Sequence, residues 1–166
     1  MAGSTGVVPS PPQAQIIEQK LRLEQALKAG ASWFIWVAAL SILNSVLSMT
    51  GAKLHFIFGM GVTQVVDALA NRAGSTGIVL DLFINGIIAG VFVLFWNLAR
   101  KGQRWAWIAG MVLYLLDGLI LVTFEDWLGV VFHAYVLFRL FSAFKFLSAY
   151  ESVKQQESMS LPPAVG

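Results

Sequence analysis

Apolar residues are grouped along this chain in long blocks, and the blocks have a common length. ASWFIWVAALSILNSVLSMT (31–50), GIVLDLFINGIIAGVFVLFWNLA (77–99), WAWIAGMVLYLLDGLILVTF (105–124) and WLGVVFHAYVLFRLFSAFKFLSAY (127–150) each carry few charges. An α-helix needs about 20 apolar residues to cross the roughly 30 Å hydrocarbon core of a bilayer. The pattern therefore predicts four spanning helices. A fifth segment, LHFIFGMGVTQVVDALA (54–70), is shorter and interrupted by His55, Gln64 and Asp67, with glycines at 59 and 61. It reads as a re-entrant or interfacial helix, the alternative being a fifth span. Segments that stop short of crossing persist at membrane depth only under cover of protein or water.

The flanks read differently. MAGSTGVVPSPPQAQ (1–15) is a Gly/Ser/Pro-rich tail expected to be loose. IIEQKLRLEQALKAG (16–30) is rich in good helix formers and predicts an amphipathic lead-in helix that Gly30 would stop. Residues 151–166 begin polar and helical and end loose.

Composition turns this pattern into a class. Hydrophobic residues make up 57% of the 166 positions and charged residues 12%, with mean hydropathy +0.72. Soluble domains carry about 25% charged residues, so the fold class expected is an all-α, polytopic membrane helix bundle of one domain. Net charge is +2 and no Lys/Arg-rich run appears, which argues against nucleic acid as a partner. Cysteine is absent. Disulfides, thiolate metal sites, cysteine-held iron–sulfur clusters and thiol nucleophiles are excluded.

Charge and tryptophan decide between the topologies. Arg100, Lys101 and Arg104 form a basic loop between the second and third long blocks, and basic loops stay on the cytoplasmic side. Glu125 and Asp126 then face the opposite side. With four spans Lys20, Arg22, Lys28, Lys145 and Lys154 join the basic side. Trp33, Trp36, Trp96, Trp105 and Trp107 would mark the inner interface, and Trp127 the outer one. Both termini are then cytoplasmic, with a bacterial inner (plasma) membrane as the simplest location.

Candidate chemistry lies in the polar residues inside the blocks. An ionisable residue in a span costs roughly 2.5–3.5 kcal/mol on insertion scales and needs a neighbour. Counting about 1.5 Å of rise per residue from the outer ends, Asp117 and His133 fall at one level on adjacent antiparallel helices. They are the expected pair. Asp81 and Asn85, four apart and so on one face, join the same outer-leaflet cluster. Arg139 falls deeper, within reach of Asp117 if its side chain points outward. Two readings of the cluster compete: polar glue between helices, at about 0.6 kcal/mol per contact, or a proton relay or small-ligand site.

Other chemistry is poorly supported. No HxxxH or ExxH spacing offers a metal site, no GxSxG offers a nucleophile, and no cofactor is implied. Ala38, Ser41, Ser45 and Ser48 form a small-residue stripe suited to close helix packing. Gly86 and Gly90 make a GxxxG, suited equally to packing within the bundle or to dimerisation. The sequence therefore predicts a non-enzymatic accessory or assembly component in the lipid bilayer, as a homo-oligomer or in a larger membrane complex. The alternative is a small oligomeric transporter or channel using the Asp/His cluster.

Overall fold

A computed structural model describes residues 11–49, 65 and 75–160, with side chains at 48, 49 and 75–81 outside that description. It is an all-helical bundle: α1 (Pro11–Met49), α2 (Ser75–Ala99), α3 (Arg104–Thr123), α4 (Trp127–Phe144) and α5 (Phe146–Ser160). Among the described residues four helices are long and apolar enough to cross a membrane, with α4 and α5 counted as one. The short segment 54–70, and with it His55, Gln64 and Asp67, lies outside the described residues apart from position 65.

α1 differs from the expected tail, lead-in helix and separate first span. It starts at Pro11, where two prolines at the first helical positions leave no needed N–H unmade. It then runs 39 residues without a break at Gly30. At 1.5 Å per residue that is roughly 58 Å, about twice a hydrocarbon core. One half must project from the bilayer.

Gly30 stays inside the helix because of what lies against it. A methyl group added there would overlap the side chain of Ala143 and press on the Trp107 ring. Here glycine permits the crossing of α1 and α4 instead of ending a helix. Beyond that crossing, α5 turns back along the projecting half of α1. Leu27, Leu147 and Val153 are buried there, and Lys20 is paired with Glu157. The α4–α5 break at Lys145 is slight, since its backbone is helical and its N–H still bonds the Phe141 carbonyl at 3.2 Å.

Within the membrane-spanning part, α1 packs on α2 and α4, and α3 also packs on α2 and α4. α1 and α3 thus take opposite corners, both running from the basic end to the acidic end. They meet across the diagonal where Phe34 lies against Gly110, a site with no room for a Cβ. Phe34 also contacts Phe92, Phe95 and Trp107 at centroid distances of 6.3, 6.2 and 5.9 Å. Trp107 does not belong to the interfacial belt where its position suggested it would lie. It is fully buried, and its indole N–H donates to the Ala99 carbonyl at 3.1 Å. Trp36, Trp105 and Trp127 are exposed.

Two of the spans end in the same way. The N–H of Gln103 bonds the Leu98 carbonyl and that of Gly102 bonds Ala99, with Gly102 at φ +80°. At the end of α3 the N–H of Asp126 bonds Leu121 and that of Glu125 bonds Val122, with Glu125 at φ +57°. Both are Schellman ends, which satisfy the last carbonyls of a helix and reverse the chain in a few residues. The second one sets α3 and α4 side by side at the polar cluster.

Candidate functional site

α3 turns Tyr114, Asp117 and Leu121 inward, at the i, i+3, i+7 spacing of one helix face, and α4 answers with Gly129, His133, Val136 and Leu140. The register is set at the turn. Asp126 caps α4, its carboxylate accepting the Gly129 N–H at 3.0 Å. The Gly129 carbonyl, one turn on, meets His133 Nδ1 at 2.9 Å. His133 Nε2 then reaches Asp117 Oδ2 at 2.8 Å. Asp117 is 4% exposed and His133 3%. The Tyr114 ring stacks on the imidazole at 4.2 Å and 15°. Gly118 supports the ring from α3, since a Cβ there would come within 3.2 to 3.4 Å of three His133 atoms. Gly129 is equally constrained: a Cβ would collide with the Asp126 carboxylate and with Leu121.

These partners limit where protons can be. A carbonyl only accepts, so Nδ1 carries a hydrogen. Nε2 faces a carboxyl oxygen, so one further proton lies between them, on the ring or on the acid. In either case the pair is neutral as a whole. That explains how an aspartate and a histidine are tolerated with almost no water access.

A second polar contact lies between α1 and α2. Asn85 Nδ2 donates to Ser45 Oγ at 2.8 Å, both residues being fully buried. Helical rise relates this contact to the first. Phe34 touches Gly110 and Phe92 at one level. Seven residues from each toward the acidic end stand Ser41, Asp117 and Asn85, roughly 10 Å higher. All four helices thus contribute to one polar layer: Ser41, Asn44 and Ser45, then Asn85, Asp117 and His133. The hydroxyls of Ser41 and Tyr114 are buried with no hydrogen-bond partner among the described residues.

Asp117 and His133 are in direct contact, and Asn85 shares their level. Asp81 lies one turn beyond Asn85 in α2, its side chain outside the description. Arg139 does not reach Asp117. It is exposed, with its guanidinium 5.7 Å from the centre of the Trp33 ring. Six residues past His133 it sits about 120° round α4, on a different face. The crossing of Gly30 with Ala143 also moves Arg139 nearer the basic end than its distance from the acidic end implied. It lies roughly 8 Å from the end of α4, a depth from which arginine can reach the interface.

Ser41 and Ser45, expected on a packing stripe, are buried on α1. Gly86 and Gly90 are not buried in the bundle. Both are exposed, and a Cβ at either would meet nothing within 4 Å among the described residues. The α2 core face is Asn85, Ala89, Phe92, Phe95 and Ala99 instead. Tyr114, Gly118, Gly129 and Asp126 were not anticipated as parts of the cluster. Their spacing from the central pair was the available signal: Tyr114 three before Asp117, and Gly129 four before His133.

Among the described residues no three His, Cys, Asp or Glu side chains converge as metal ligands would. A groove between α3 and α4 lies toward the basic end, lined by Met111, Val112, Leu115, Leu137, Phe138 and Phe141, and does not include the pair. Neither a protein family, a curated protein nor a solved structure matches the chain.

Proposed function

We propose that the protein is a non-enzymatic structural or assembly component of a bacterial plasma membrane, with both termini cytoplasmic. One observation carries this reading. The buried charged groups are engaged with each other and with backbone, His133 bonding both Asp117 and the Gly129 carbonyl, and are not aimed into a described cavity. The α1–α5 extension, standing clear of the bilayer on the basic side, is the part a larger complex would engage. The orientation rests on Arg100, Lys101 and Arg104. A second copy of the chain is the other candidate partner, through the outward Gly86/Gly90 face.

A second reading has its own support. The proton held between Asp117 and His133, with two hydroxyls in the same part of the core that have no partner among the described residues, also suits a small proton-linked transporter. Chemical cross-linking in the native membrane followed by mass analysis tests the first reading. A stoichiometric larger partner, cross-linked through residues of α1 or α5, is the result expected. A chain found alone or only with copies of itself, together with proton flux in vesicles that Asp117→Asn abolishes, establishes the second reading instead.

A further inference from the structure

We infer that the groove between α3 and α4 is a binding site for one anionic phospholipid of the leaflet on the basic side. The groove has a volume of about 420 Å³ and is walled by Met111, Val112 and Leu115 of α3 and Leu137, Phe138 and Phe141 of α4. Sites that hold small molecules are typically about 300–1,000 Å³ and mostly apolar. Its walls suit an acyl chain, and its mouth suits a phosphate. On α4, Phe138, Phe141 and Lys145 follow one another at i, i+3, i+7, so Lys145 tops the groove's own stripe. Its ammonium lies 4.9 Å from the centre of the Phe141 ring.

Charge favours an anionic headgroup. On this side of the molecule every described carboxylate is already paired with a cation: Glu18 with Arg22, Glu24 with Lys28, Glu151 with Arg104 and Glu157 with Lys20. Arg100, Lys101, Lys145 and Lys154 have no carboxylate partner among the described residues. Of these, Lys145 is the one on the groove's stripe. A lysine near a membrane surface contributes about 1 kcal/mol of attraction to anionic lipid, while a zwitterionic headgroup offers no net charge to meet it.

The full chain, purified in detergent and stripped of native lipid, is titrated with phosphatidylglycerol and with phosphatidylcholine of identical acyl chains. Native mass spectrometry counts the bound molecules. One phosphatidylglycerol is expected to bind several-fold more tightly than phosphatidylcholine. Lys145→Gln should weaken it about fivefold and leave phosphatidylcholine unchanged, whereas Lys154→Gln, outside the groove, should change neither. Leu115→Trp fills the groove without altering charge and should weaken both lipids. Val112→Phe serves the same purpose if that variant does not fold. Equal binding of the two lipids, an unchanged Lys145→Gln, an equal loss in Lys154→Gln, or groove-filled variants that bind as the parent does would each overturn the assignment.

Discussion

At the scale of single residues, the energetics of the Asp117–His133 contact follow from what each partner leaves behind. An interhelical hydrogen bond in a membrane protein contributes on average about 0.6 kcal/mol. A buried polar group left without its partner costs about 1–3 kcal/mol. The second term is larger, so truncating one side should be worse than removing both. In reversible unfolding from mixed micelles, His133→Leu is expected to cost about 1–3 kcal/mol. The double variant Asp117→Leu with His133→Leu should cost less than the two single changes combined. Asp117→Asn should stay within about 1 kcal/mol, because the Gly129 carbonyl fixes the hydrogen on Nδ1 and leaves Nε2 free to accept from the amide. Strictly additive single and double variants would show that the contact contributes nothing to stability. This pair was legible in the sequence because two polar residues at one depth in apolar helices have few other places to turn. The place of Arg139 was not legible in the same way, because depth along a helix leaves its angular position on α4 open. The role of Tyr114 was not legible either, because a tyrosine in a membrane helix gives no sign of stacking on a histidine until the register is known.

At the scale of the elements, the four spans could be read from block length alone, since the bilayer fixes the number of residues. Which glycines matter could not, because glycine records only that a side chain is absent and not what occupies its space. The structure separates them into two groups. Gly30 and Gly110 stand where α1 crosses α4 and α3, with Ala143 and the Phe34 ring in the way of any Cβ. A Cβ at Gly86 or Gly90 would meet no other described residue. Gly30→Ala and Gly110→Ala are therefore expected to destabilise the bundle by about 1–3 kcal/mol, the usual cost of overpacking. Gly86→Ala and Gly90→Ala should leave the monomer unchanged or stabilise it by up to about 1 kcal/mol through helix propensity. The same four variants, followed by unfolding and by sedimentation, also test the outward GxxxG. A change of oligomeric state confined to the Gly86 and Gly90 variants would mean that this face meets another chain, whereas loss of monomer stability there would contradict the packing described.

At the scale of the whole molecule, charge asymmetry and tryptophan placement point to four spans with the basic groups on one side, and the described residues hold four helices apolar enough to cross. What the sequence did not reveal is that the first span and the lead-in helix are one rod, braced outside the bilayer by α5. The brace combines the buried Leu27, Leu147 and Val153 with a polar tie at its far end, where Gln13 donates to the Ser160 carbonyl at 3.2 Å and Lys20 pairs with Glu157. The hydrogen bond from Lys20 to Glu157 raises the lysine pKa above its ordinary 10.5, outweighing the opposing effect of burial. A group whose pKa is higher when folded stabilises the folded form fully below its unfolded pKa, and this contribution disappears as pH climbs through the folded value. The tie should thus be intact through neutral pH and up to about 10.5, then release above it. Its contribution is of the order of an exposed to half-buried ion pair, up to about 1 kcal/mol, so α5 should loosen at its end without the bundle unfolding. The chain has no cysteine, which allows nitroxides to be placed uniquely through Gln19→Cys and Ser158→Cys. Their distance distribution should be narrow at neutral pH and broaden above the lysine range. Adding Lys20→Met should make it broad at neutral pH and abolish the step. A distribution that stays narrow in both would assign the docking of α5 to its apolar contacts alone.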